Sequence, residues 1–454
     1  MGYSLDRLGW LQFEQLCTRL LELEGSVPGA AWAGASDRCR AALIDAPLGP
    51  PLLAYAMPGP VLAHCAWVAP GGWLTADSMV HQLAMERSED LRAASSYLLL
   101  SNAELDRPPA LPAWTERVRV GVLGTHELGA RIDARPELRQ AMPSLLGLRA
   151  LEELIEPTVE RRSSLARDAA RELATVFVPT RAHARALDVV AEHRFAVLTG
   201  PPEMGKTAIA RMIALAQQTC GWEAHECASP EAVFRAFDPR GSQVFIADDA
   251  FGSTEYRADA AEQWARAIER LLRSLDERHW LIWTSRPAPL RAALRRLHRE
   301  RGAERFPAPA KVLVDASDLD IAEKTLILFR HAKAAQLPRR VRYAIRTHGP
   351  EIVANRHFTP ERIRRLIARL RAGDDDVGRA TERELTTATD AMAASFSALG
   401  REHRDLLVAL LDTPPGPVPE RELVAALRRH HDGSLSHQPA ELVDRLTDHF
   451  LRVT

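Results

Sequence analysis

An α/β multidomain fold is predicted by three observations. The chain has 454 residues, about three times a typical domain length. From Phe177 onward, short apolar runs alternate regularly with helical patterns, as in a parallel sheet flanked by helices. Between an apolar strand, Phe195 to Thr199, and an alanine-rich helix lies Gly200-Pro-Pro-Glu-Met-Gly-Lys-Thr207, a complete phosphate-binding loop in the strand–loop–helix setting that gives the motif its meaning.

Bulk composition narrows the class. A formal net charge of -1 with 46 % hydrophobic residues argues against a nucleic-acid-coating protein, a disordered tail or a membrane-surface binder. No apolar run approaches the ~18 residues of a membrane helix, so no membrane partner is expected and the default compartment is cytoplasmic. Five cysteines are scattered without framework spacing, and Cys220, His225 and Cys227 are too few ligands for zinc. The lysines are Lys206, Lys311, Lys324 and Lys333. That the first of them falls in the phosphate loop suits the chemistry, because a compact ammonium fits between phosphate oxygens better than a guanidinium.

The N-terminal region, residues 1–150, opens on an amphipathic helix over residues 4–24. Apolar runs at 40–46 and 60–69 read as strands, residues 75–94 as a helix, 96–101 and 117–123 as further strands, and 125–141 as a helix. Residues 151–176 form a charged helical connector. The core, 177–310, has strands at 195–199, 244–248 and 280–284 and helices at 206–219 and 260–276. A mostly helical stretch, 311–375, supplies helices at 318–335, 339–347 and 360–371. Residues 376–454 comprise a linker and short helices with a winged-helix rhythm.

The loop motif assigns the first site residues. Backbone N–H groups of Gly200, Pro201, Pro202, Glu203, Met204, Gly205, Lys206, Thr207 and Ala208, prolines excepted, together with the helix dipole favour phosphates; Lys206 reaches the β- and γ-phosphates, and the Thr207 hydroxyl binds Mg2+. ATP or ADP with magnesium is the implied cofactor. Val244-Phe-Ile-Ala-Asp248-Asp249 ends a strand in two carboxylates; Asp248 is expected to hold the metal through water and Asp249 to orient or deprotonate the attacking water. A third strand ends in Thr284-Ser285-Arg286, where a hydroxyl could sense the γ-phosphate and Arg286 could stabilise its charge. A helix cap followed by a surface arginine is the plainer alternative.

The loop, Asp248-Asp249-Ala-Phe-Gly252, Thr284-Ser285-Arg286, Glu323-Lys-Thr-Leu-Ile-Leu and His357-Phe-Thr-Pro360-Glu-Arg362-Ile together resemble the novel STAND NTPases of prokaryotic conflict systems, over roughly residues 177–371. The resemblance implies an AAA+-related switch that holds ATP or ADP between an NTPase core and a helical lid, hydrolyses slowly and forms a homo-oligomer when triggered. It further implies that Phe177-Val178-Pro179-Thr180 contacts adenine, that Pro360 and Arg362 approach from the lid, and that the C-terminal part is a winged helix acting as a switch arm. In that family a superhelical repeat array usually senses the trigger; here the expectation is that a protein partner senses it, that the first domain does, or that this is a shortened member.

The order of elements in residues 1–150 resembles the Mrr-like restriction-endonuclease fold. That chemistry needs an acid on one strand and Gln/Glu-x-Lys on the next. Asp37 and Asp45 are candidates for the acid, but Ala66 stands at the lysine position of Val61-Leu-Ala-His64-Cys65-Ala66-Trp67, and no lysine precedes Lys206. The domain therefore reads as a degenerate, non-cutting version, with an ATP-controlled nuclease as the competing reading. A third reading, a nucleotide-gated DNA-binding regulator, would use the winged helix and the arginines Arg291, Arg295, Arg296 and Arg299; neighbouring glutamates make a solvated face the plainer account.

Overall fold

The computed structural model describes residues 2–36, 39–69, 76–104, 118–165, 167–252, 257–301, 309–373, 376–386, 393, 396–397, 399–413, 418–431 and 434–446. Asp37 lies outside them, as do the side chains of Arg296 and Arg299. The chain divides into two units, Met1–Leu154 and Ile155–Thr454.

The first unit runs α1 (Trp10–Gly25), β1 (Ala33–Ser36), β2 (Cys39–Ile44), β3 (Val61–Ala66), α2 (Ala76–Glu86), α3 (Ser88–Ala93), β4 (Ser96–Ser101), β5 (Arg119–Leu123), α4 (Thr125–Ala134), α5 (Pro136–Ala141) and α6 (Leu151–Leu154). Its sheet has the order β1-β2-β3-β4-β5, antiparallel as far as β3 and parallel beyond. Both faces are covered, which is why β3 and β4 are buried at every position instead of alternating. Phe13, Leu16 and Leu20 of α1 share one core with Val61, Ala63, Cys65, Leu98 and Leu100. Leu62, Tyr97 and Leu99 meet Met79, Val80 and Leu83 of α2 on the other side. On β3, buried His64 places Nδ1 2.7 Å from the Tyr97 hydroxyl. Asp45 is exposed just beyond β2.

Two helices read as single from periodicity are broken. Arg87 separates α2 from α3, and α5 restarts with Pro136 at its first position, where a missing N–H costs nothing. The short β1 was not anticipated because Ala33-Gly-Ala-Ser36 carries no β-branched or aromatic residue.

In the second unit, α7 (Pro157–Arg162), α8 (Arg167–Val176) and α9 (Arg181–His193) precede β6 (Phe195–Thr199). Then come α10 (Lys206–Gln218), β7 (Glu223–Glu226), α11 (Pro230–Ala236), β8 (Gln243–Ala247), α12 (Ala258–Ser274), β9 (His279–Ser285), α13 (Pro287–Arg301), α14 (Pro309–Val312) and β10 (Leu313–Asp315). The sheet order is β10-β6-β9-β8-β7, parallel throughout. Trp283 at its centre takes Phe195, Phe251 and Trp264 edge-on at 4.9, 5.1 and 5.1 Å, joining sheet to α12. The stretch expected as one helical connector is broken at Pro157 and again at Ser163. There the Ser163 and Ser164 hydroxyls accept the Ala224 and Glu226 N–H groups, both at 3.0 Å, and occupy the free edge of β7. Neither β7 nor β10 announces itself: Glu223-Ala-His-Glu226 is mostly polar, and β10 has three residues.

A helical bundle, the expected lid, follows as α15 (Ile321–Ala334), α16 (Arg339–Ala354), α17 (Pro360–Ala372) and α18 (Val377–Thr386), closed around Ile327, Ile345, Ile352, Ile363, Leu366 and Leu370; α18, expected as linker, packs into it through Val377, Ala380 and Leu385. Helix α16 runs past its expected end because Pro350 removes only the bond to the carbonyl of Arg346, an exposed residue. Three further helices, α19 (Arg401–Leu411), α20 (Glu420–His430) and α21 (Pro439–Leu446), pack through Leu406, Leu423, Leu427 and Leu442. No helix among the described residues is long and apolar enough to cross a membrane.

Candidate nucleotide site

Strand β6 delivers the phosphate loop to the carboxyl edge of the sheet, where open α/β folds place their ligands. Gly200 has φ +146°, and a Cβ on it would sit 3.3 Å from the Ser317 nitrogen, so the residue must be glycine. Gly205, at φ +88°, caps α10 in the left-handed region. Lys206 begins that helix, 7 % exposed, with Nζ donating to the Gly200 carbonyl at 2.9 Å and the Pro201 carbonyl at 2.7 Å. Burial pushes its pKa down to about 8; Asp249 and Asp248 oppose that shift and Arg286 adds to it.

Asp248 follows β8, and two hydroxyls converge on its Oδ1, that of Thr207 at 2.7 Å and that of Thr284 at 2.6 Å. The Asp249 N–H donates to the same Thr284 hydroxyl at 2.9 Å, and the Ala250 N–H donates to the Thr284 carbonyl at 3.1 Å. Thr284 thus holds the Asp248 carboxylate and the backbone of Asp249 and Ala250 from the neighbouring strand. Asp249 takes a left-handed φ of +44°. Its pKa is raised by burial and then by Asp248, against the pull of Arg286 and Lys206. Arg286 is lowered by burial, opposed by Asp249 and Glu203. Ser285 donates to the Arg286 carbonyl at 3.1 Å, so of the two adjacent hydroxyls it is Thr284 that meets Asp248.

Hydroxyl and carboxylate oxygens suit a hard cation. Thr207 and Asp248 would hold Mg2+, which when bound would neutralise charge on phosphate oxygens.

A cavity of about 1060 Å³ opens over the loop. Its floor is Pro202, Glu203, Met204, Gly205, Lys206, Thr207 and Ala208, with Asp249 and Arg286 at one side. Phe177, Val178 and Thr180 form a wall, and Leu319, Ile327, His331, Pro360, Arg364, Ile367 and Arg371 come from the lid. Pro179 lies between wall residues without lining the cavity. The wall and lid are tied together: buried Glu323 accepts the Arg181 N–H at 2.6 Å while capping α15 through Asp320.

One expected lid contact falls elsewhere. Arg362 does not line the cavity; its Nη1 donates to the Glu384 carbonyl at 2.6 Å and its Nε lies 3.9 Å from Glu203. The reason is its helical position: one turn into α17 it points into the lid core, while Glu361, Arg364, Ile367, Ala368 and Arg371, at helical spacing, face the cavity. Periodicity within 360–371 could have found that face.

Glu203 gains an unforeseen role. It holds a left-handed φ of +67°, accepts the Thr359 hydroxyl at 3.4 Å and lies 3.9 Å from Arg365 as well as Arg362. The loop is thereby tied to the N-terminus of α17. Glu203→Gln is expected to loosen that tie by about 1–3 kcal/mol, read as a roughly tenfold to hundredfold rise in amide exchange across Pro360–Ala372. Glu203→Gly, which meets φ +67° without strain, should do the same; unchanged exchange in both variants rejects the coupling.

The family model described as Novel STAND NTPase 3 matches residues 177–334, about a third of the chain. No curated protein matches. Among solved structures, a Walker-type ATPase of Pyrococcus abyssi is 16 % identical, covering 60 % of this chain and 91 % of its own, with a TM-score of 0.38. AMPPCP-bound DnaA from Aquifex aeolicus is 13 % identical, covering 59 % and 85 %, with a TM-score of 0.27. Likenesses at this level carry no weight for function. The loop, the acidic strand end and the parallel sheet together give this chain a P-loop NTPase fold, and residues 177–334 are similar to the novel STAND NTPases.

Proposed function

We propose that the protein is an ATP-binding, slowly hydrolysing signalling switch whose nucleotide-bound form self-associates, acting in prokaryotic antiviral defence or signalling. The observation that carries this is the placement of the phosphate loop beneath a cavity roofed by a separate helical lid and linked to that lid through Glu203. A nucleotide held so extensively changes what the lid touches, which is what a switch requires.

In this reading the loop N–H groups and Lys206 bind the phosphates, and Asp248 with Thr207 positions the metal. Asp249, its basicity raised by burial, takes the proton of the attacking water, while Arg286 offsets charge on the transferred group. Phe177, Val178 and Ile327 offer the base an apolar slot. Slow turnover suits a switch, because the bound state must persist.

The first unit serves as a degenerate Mrr-like recognition or assembly module. Its mixed sheet preceded by α1 supports that reading, and Ala66 at the end of β3 argues against cutting. The three-helix C-terminal module is the winged-helix arm, and a protein partner supplies the trigger. The test is mass-resolved size with identification of bound nucleotide, for wild type and Lys206→Ala, with ADP, ATP and a non-hydrolysable analogue. Analogue-driven assembly lost in the variant is the expected result; a monomer indifferent to nucleotide rejects the switch.

A further inference from the structure

We propose that the outward face of α16 binds single-stranded nucleic acid, its arginines on the phosphates and Tyr343 stacked on a base. Helix α16 is two-faced: Ile345, Ile352 and Val353 enter the lid core, while Arg339, Arg340, Arg342 and Arg346 are exposed around Tyr343, whose side chain is 73 % exposed. Among the described residues none of these four arginines has an ion-pair partner. Some other surface arginines are answered within their own helix, as Arg266 is by Glu262, Arg273 by Glu269 and Arg364 by Glu361, whereas α16 gathers four without such a partner around one exposed aromatic ring. The first eight residues of α16 contain no acid. The first one met, Glu351, faces His348 at 3.3 Å.

Among the described residues the face is also open at its far end. Gly349, one turn beyond Arg346 on the same side, has open space where a Cβ would be, so a chain can approach the helix backbone there. From Arg339 to Arg346 the axial distance is about 10 Å at 1.5 Å per residue, room for about three phosphate contacts.

The aromatic decides the class of partner. Arginines alone would serve an acidic protein equally well, but a bare tyrosine ringed by guanidinium groups supplies what a polyanion of carboxylates does not use: a flat surface for a nucleobase. A single strand is favoured over a duplex because its bases are free to stack. This surface is separate from the phosphate loop and from the α13 arginines Arg291 and Arg295, and the inference does not depend on the nucleotide reading.

The experiment is fluorescence anisotropy of a labelled 20-mer oligo(dT) against the full chain. The variants are Tyr343→Ala, Tyr343→Phe and the triple change Arg339→Glu, Arg342→Glu, Arg346→Glu. With about three phosphates neutralised, log affinity should fall against log salt with a slope of about -2, or roughly tenfold between 50 and 150 mM. The triple variant should lose binding by about a hundredfold or more, with its far-ultraviolet dichroism and melting midpoint unchanged. Tyr343→Ala should cost about tenfold and Tyr343→Phe, which keeps the ring, almost nothing. Absence of binding at 50 mM salt overturns the proposal, as does binding indifferent to the triple change. So does a silent Tyr343→Ala with polyglutamate or anionic vesicles competing as well as the oligonucleotide, since the face would then serve an acidic protein or a lipid surface.

Discussion

Replacing Lys206 with alanine should lower ATP and ADP affinity by about two to three orders of magnitude while leaving the protein folded. The ammonium is buried, held by two carbonyls of its own loop, and a phosphate would replace those neutral acceptors with a charged one. Losing one side of a buried charged contact costs about 3–5 kcal/mol, and each 1.4 kcal/mol is about tenfold. Alanine is a good helix former at the first position of α10, so the fold should survive. Calorimetric titration of wild type, Lys206→Ala and Lys206→Arg separates charge from shape. Arginine should rescue little, because its wide planar group does not fit where a compact ammonium sits. Affinity of the alanine variant within tenfold of wild type would remove Lys206 from the phosphate site.

Asp249→Asn is expected to depress single-turnover phosphate release by about 10²–10⁴, the usual worth of a positioned acid–base group, with nucleotide affinity nearly unchanged. The separation of the two effects follows from geometry. Asp248 receives the hydroxyls of Thr207 and Thr284 and in the proposed reading would hold the metal, so Asp248→Ala should impair magnesium-dependent binding as well. Asp249 lines the cavity together with Lys206 and Arg286, which hold down a pKa that burial and Asp248 push up. Turnover of Asp249→Asn within threefold of wild type would show that another group handles the proton.

The core of the site was legible because its signals are local. The loop, Asp248-Asp249 and Thr284-Ser285-Arg286 each end an apolar run, and parallel pairing of β6, β8 and β9 brings three such ends to one edge. What stayed hidden depends on contacts distant in sequence. Nothing near Glu203 foretells that Thr359, Arg362 and Arg365, some 156 residues or more away, will close on it. Arg362 is a different case: its motif gives proximity to the lid entrance, whereas its local position on α17 sets its side chain off the face that lines the cavity and toward the Glu384 carbonyl. In the fold, α2 and α3 merged into one prediction because Arg87 breaks a helix without glycine or proline. Strand β7 escaped because an edge strand can be polar and still be paired, here by β8 on one side and two serine hydroxyls on the other.

The three residues of β10 carry a mechanical consequence. By pairing with Val197, Leu198 and Thr199, they lead the chain across the root of the phosphate loop just before it enters α15, and Ala316 and Ser317 pass close against the bare Cα of Gly200. The fulcrum of the lid therefore rests against the loop it covers. A methyl group added at Gly200 would sit in a strained backbone conformation 3.3 Å from the Ser317 nitrogen, so either the loop or the segment leading into α15 would have to give by about a few tenths of an ångström, coupling a change in the loop to the lid although no lid residue had been altered.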